Sequence, residues 1–128
     1  MKKEKIFLLA MISMSCLIAC SCGKNTKNID EKNIDETLYQ KAQKAVEVAQ
    51  KYLDTDLEVE KAIEKMERLS AQTESFESST NSDERLIAIE ISLLESELEN
   101  AELGQRENDY SEDAEIQKTV KELKERLD

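Results

Sequence analysis

The stretch Tyr52-Leu53-Asp54-Thr55-Asp56-Leu57-Glu58-Val59 decides how many helices this chain has. An apolar row approaches it from the N-terminal side as Leu38, Ala42, Ala45, Ala49 and Tyr52. The row leaves it as Val59, Ile63, Met66, Ser70 and Thr73. The spacing of four and three holds throughout, with Asp56 as the one charged member. One continuous helix explains that phase without coincidence. Against it, Thr55-x-x-Glu58 has the form of a capping box, which would start a new helix. The phase argument is the stronger one. It predicts one helix over 36–76, about 60 Å long, with Thr55 as the place where it would kink. The Ala-rich part, Leu38–Ala49, makes a thin seam.

Downstream, Glu77 to Glu84 (ESSTNSDE) reads as a loop, and Asn81 as the N-cap of the next helix. That helix, 82–103, is the most apolar. Ile87, Ile91, Leu94, Leu98 and Ala101 form its row, and Leu86, Ile89 and Leu93 widen it toward more neighbours. Gly104 stands where a C-cap is expected. Ser111 then caps a last helix over 112–127, with a stripe of Ile116, Val120, Leu123 and Leu127. The fold class is all-α: an elongated up-down bundle of about three helices with coiled-coil-like packing. An intermolecular coiled coil through the seam of the first helix is the alternative. Composition agrees: the 128 residues include no Pro, two Gly and 37% charged residues.

The N-terminus has a different character. Lys2, Lys3 and Lys5 precede the uncharged run Ile6–Ala19 (IFLLAMISMSCLIA), the layout of a secretory signal. Fourteen residues are too few for a span, which needs about 20. The run closes on Leu17-Ile18-Ala19-Cys20, which resembles the lipobox of bacterial lipoproteins. Cys16 and Cys22 lack the large apolar residue three positions upstream. The resemblance implies cleavage before Cys20, recognition through Leu17, Ile18 and Ala19, and a membrane anchor through diacylglyceryl-Cys20. Two or more acyl chains hold a soluble domain stably. The organisation read from this is a signal peptide over 1–19, a lipidated cysteine and flexible tether over 20–35, and a helical domain over 36–128. The tether carries KNIDE twice, Lys27–Glu31 and Lys32–Glu36, and its isolated Ile29 and Ile34 build no core.

The formal net charge is −11, and there is no His. Such acidity disfavours nucleic acid, whose phosphates require clustered Lys and Arg. Without His, no Ser-His or Cys-His pair exists, and no Gly-rich phosphate loop occurs. No catalytic residue, metal ligand or cofactor is expected, and the chain is read as a non-enzyme. From Asp83 to Glu115 twelve acids face two bases, Arg85 and Arg106. Glu95, Glu99 and Glu102, with Glu97 beside them, form the candidate acidic interaction face, suited to a basic protein partner or a divalent cation. Asp109–Glu115 falls short of a calcium loop, with Ala114 at the sixth position and Val120 at the twelfth.

In its lipobox, its Lys/Asn/Asp-rich tether and its Pro-free Glu/Lys-rich helical body, the chain is similar to the small helical surface lipoproteins of spirochaetes. That resemblance implies an exported, membrane-anchored protein at the outer membrane or cell surface. Its role would be that of an interaction module of the adhesin or host-factor-binder class. Members that bind acidic glycans use Lys-rich patches, a pattern from which this acidic chain departs. A periplasm-facing structural or accessory lipoprotein, forming a coiled coil or an envelope-complex subunit, is the alternative. Homo-oligomerisation stays open in both.

Overall fold

The computed structural model describes residues 34–128. The expected signal peptide, the expected lipobox and nearly all of the expected tether lie outside the described residues. The rest is all-helical. The helices are α1 (Glu36–Leu53), α2 (Val59–Thr73), a 3-10 turn (Glu74–Ser78), α3 (Ser82–Gln105) and α4 (Glu112–Leu127). Each packs on its neighbours in chain order, α4 closes back onto α1, and α1 faces α3 across the middle. Among the described residues the long first helix is therefore corrected to two, and the three-helix bundle to four helices. The second half of the expected helix folds back along the first.

The reason lies at Asp56. In a continuous helix it would fall in the row between Tyr52 and Val59, and burying an unpaired carboxylate is costly. The chain instead leaves the helix, and Asp54, Thr55, Asp56 and Glu58 are all exposed. Asp56 N–H donates to the carbonyl of Lys51 at 2.8 Å and Thr55 N–H to that of Tyr52 at 3.0 Å. This is a Schellman closure with its left-handed residue at Thr55, φ 61°. The capping box does not form: Glu58 is the N-cap position of α2 and no side chain caps it there. Beyond the break the buried row rotates. Val59, Ala62, Met66, Leu69 and Thr73 are buried, while Ile63 and Ser70 are only half-buried.

The core runs from Ile34 to Leu127, all within one compact unit, 33–128. Ala42, Ala45 and Ala49 are fully buried. Their small side chains let α1 sit close to its neighbours, so the Ala seam is used up inside the chain and is not offered to another one. The expected α4 stripe, Ile116, Val120, Leu123 and Leu127, is buried with Thr119 added. Ile34, assigned to the tether by its sequence, is 3% exposed. Asp35 caps α1, its Oδ1 accepting from Thr37 N–H at 2.8 Å and Leu38 N–H at 3.1 Å. The second KNIDE copy therefore starts the domain. Tyr39 Oη reaches the Leu127 carbonyl at 3.2 Å, and Tyr52 Oη donates to Asp113 Oδ1 at 2.6 Å and accepts from Gln105 Nε2 at 2.9 Å. These two tyrosines pin opposite ends of α1 to α4.

Asn81 caps α3 as expected, its Oδ1 accepting from Asp83 and Glu84 N–H at 2.9 and 3.2 Å. Two expected signals act differently. Ser111 gives no side-chain cap; its N–H donates to Asp109 Oδ1 at 3.0 Å. Gly104 is not the left-handed residue after α3, since that is Asn108, φ 59°. Asn108 and Asp109 N–H close a second Schellman turn onto Gln105 and Gly104. Gly104 is required for space: a Cβ there would stand 2.6 Å from the Asp109 carbonyl oxygen.

Two substitutions test these turns. Thr55→Gly removes the steric cost of a β-branched residue in the left-handed region and should stabilise the body by about 0.5–1 kcal/mol net of the greater freedom of the unfolded chain. Gly104→Ala should destabilise it by about 1–3 kcal/mol, because the second turn must open. Urea unfolding followed by circular dichroism measures both.

Candidate functional site

Helix α3 has two apolar rows, and only one is buried. Ile87, Ile91, Leu94, Leu98 and Ala101 face the core. Leu86, Ile89 and Leu93, expected to widen that core, are instead 36%, 43% and 42% exposed, and Leu103 is 56% exposed. Ser82, Ser96 and Asn100 complete this outer row and are exposed as well. Its spacing is 4-3-4-3-4-3 and none of its seven members is charged. In a chain with 37% charged residues, an uncharged, partly apolar strip on the solvent face is a departure that calls for a cause.

The strip has contrasting flanks. On one side Glu90 and Glu97 turn under α4 and are buried, 7% and 6% exposed. Glu90 Oε1 accepts from Arg126 Nε at 2.9 Å. Burial pushes the Glu90 carboxyl above its usual range, as does Glu122, while Arg126 opposes the shift. Glu97 has a weaker partner, the Thr119 hydroxyl, which donates to Oε2 at 3.0 Å; its Oε1 is buried with no partner. Burial raises Glu97 to about 7, Thr119 opposes this, and the carboxylates of Glu112, Glu115 and Glu122 add to it. Glu97 thus belongs to the α3–α4 seam and not to the acidic face on which its sequence places it.

On the other side lie Arg85, Ser92 and Glu99. Arg85 donates to the Ser79 carbonyl at 2.7 Å. Ser92 donates to Glu77 Oε2 at 2.6 Å and stands 3.0 Å from the Ser70 hydroxyl of α2. Glu99 and Glu95 meet Glu67 of α2, with one carboxylate oxygen from each within 4.8 Å of the others. Glu102, half-buried, lies one turn on and pairs with Arg106 at 3.9 Å. The structure therefore brings Glu95 and Glu99 together, adds Glu67, and separates Glu97. Hard oxygen donors of this kind suit a divalent cation. Glu67 and Glu99 are exposed, however, so the group is a concentration of negative charge at the surface and not a closed cage.

A second surface was not foreseen. The groove between α1 and α2 gathers Lys41, Lys44, Lys51, Lys65 and Arg68 around one acid, Glu47, which pairs with Lys51 at 3.6 Å. The fold-back at Thr55 creates this concentration, since a straight helix would string the same cations along its length. Cations thus gather in the α1–α2 groove, and acids where α3 meets Glu67 of α2. Among the described residues no helix is long and apolar enough to cross a membrane.

Comparison of this chain with known protein families, curated proteins and solved structures finds no match.

Glu97 gives a pH prediction. Its folded-state pKa of about 7 lies above that of an unfolded glutamate, so between about pH 4.5 and 7 the folded state holds the extra proton. The stability this contributes is fully present below that window and lost as pH rises through 7, a change of about 3 kcal/mol. Thermal melting of the body should show a falling midpoint from pH 5 to 8. Glu97→Gln should flatten that slope and raise the midpoint at pH 8.

Proposed function

We propose that this chain is a lipid-anchored, non-enzymatic envelope protein whose helical body is an interaction module. Cys20 carries the lipid, the segment 21–33 is the spacer, and the outer row of α3 is the docking surface. One observation carries the docking assignment: Leu86, Ile89 and Leu93 are exposed side by side on an otherwise highly charged body. Large apolar side chains grouped at a surface are sites of association. The adjoining carboxylates of Glu67, Glu95 and Glu99 favour a partner that brings a cation to that flank.

The anchor supports the same reading. A diacylglyceryl group binds through about 0.8 kcal/mol per buried methylene, which leaves the folded body free to present one face. The alternative, a periplasm-facing structural subunit, would use the same α3 face on the other side of the membrane. Two measurements separate and test these readings. Mass spectrometry of the protein from its native envelope should find Cys20 at the N-terminus with a diacylglyceryl adduct; an unmodified Cys20 with the leader still attached removes the anchor. Protease treatment of intact cells should strip the body from the surface. Full protection in cells that export it would favour the periplasm-facing subunit.

A further inference from the structure

We infer that the occupant of the outer α3 row is a second copy of this chain, laid antiparallel across it. The inference rests on the reading of that row as a docking surface and names its partner. The row extends from Ser82 to Leu103, about 30 Å of helix, with the 4-3 spacing of a coiled-coil seam. Antiparallel pairing centred between Ile89 and Leu93 makes the row from Ser82 to Asn100 complementary to itself, with Leu103 beyond the overlap. Ile89 faces the partner's Leu93, and Leu93 the partner's Ile89. Leu86 covers the partner's Ser96, and Ser82 meets the partner's Asn100. The apolar layers are then central and the small polar ones peripheral, the usual anatomy of an interface.

Charge on the Arg85 flank favours the same register, while on the other flank the acids Glu90 and Glu97 are buried under α4. Arg85 lies beside Leu86, and Glu99 lies beside Asn100 on the same flank. In the antiparallel arrangement Arg85 reaches the partner's Glu99, and Glu99 the partner's Arg85. Glu99 stands in the converging group with Glu67 and Glu95, and an arginine arriving there relieves the repulsion among three carboxylates. Parallel pairing would instead direct Arg85 at the partner's Glu90, a buried carboxylate already joined to Arg126. A single helix pair buries an area at the low end for specific complexes, below about 1,200 Å². The body should therefore dimerise weakly in solution, and more completely where anchoring concentrates it.

Sedimentation equilibrium on the body, 33–128, whose core is closed within itself, should show a reversible dimer with a Kd of roughly micromolar order. Leu93→Lys should abolish the dimer without lowering the melting temperature. Arg85→Glu and Glu99→Arg should each weaken it at least about tenfold through like-charge contacts. An equimolar mixture of these two variants should recover dimer, because both 85–99 flank pairs become complementary in the antiparallel heterodimer. Arg85 also holds the Ser79 carbonyl, so each variant is melted first, and Leu93→Lys decides alone if Arg85→Glu does not fold. A strict monomer up to about 1 mM, a dimer indifferent to Leu93→Lys, or a mixture that fails to recover would each overturn the inference. A monomer whose capture of an envelope protein is lost in Leu93→Lys would overturn the second copy yet keep the docking surface. A monomer in which Leu93→Lys changes nothing would overturn both.

Discussion

An aspartate that has to stay wet sets the architecture. Asp56 occupies the position where a continuous helix would bury it between Tyr52 and Val59. The chain resolves the conflict by leaving the helix through a left-handed threonine, and every other feature of the bundle follows. Because α2 folds back, the two halves of one apolar row face inward from different sides, and α3 and α4 close the square. The tight alanine face of α1 is consumed by neighbours in the same chain. The lysines of α1 and α2, which would be scattered along a straight rod, are drawn into one groove.

Much of the body was legible because its signals are local. Asn81 caps α3, the Ile116–Leu127 stripe is buried, and the helices over 82–103 and 112–127 appear within two residues of their expected bounds. The break was harder to read. Tyr52 and Val59 are seven residues apart, a heptad step, so the row keeps its phase whether or not helix lies between them. The informative residue was the charged exception within the row. A similar ambiguity hid the role of Gly104, since a glycine near a helix end suits a left-handed cap and a close approach equally well. Only the position of the Asp109 carbonyl separates the two.

The outer row of α3 was misread for a related reason. Hydrophobicity shows that Leu86, Ile89 and Leu93 are apolar; it does not show which direction they face. They form a separate 4-3 series with Ser82, Ser96, Asn100 and Leu103, offset from the Ile87 series by one and two residues in alternation. Two such series on one helix require neighbours on two sides, and the bundle supplies them on one. Glu97 teaches the same lesson in polar form. Glu95, Glu99 and Glu102 recur at helical spacing, whereas Glu97 is two residues out of step and points across the helix toward α4.

Burying Glu97 and Glu90 at that edge has a consequence for the surface beside them. A carboxylate drawn under α4 repels an incoming neighbour less than an exposed one, and the burial of Glu90 and Glu97 leaves Asp83, at the start of the helix, as the exposed acid of that edge. The acidic character of α3 is thereby pushed to its other side, where Glu95 and Glu99 meet Glu67. Net negative charge ordinarily keeps copies of a protein apart. Here much of the repulsion is displaced from the strip itself to the flank of Glu95 and Glu99, and on that same flank stands Arg85, the cation able to offset it. The stability lost in burying Glu97 and the uncharged outer row of α3 are two results of the same placement of acids. The first weakens the fold above neutral pH; the second leaves one face on which association is not opposed.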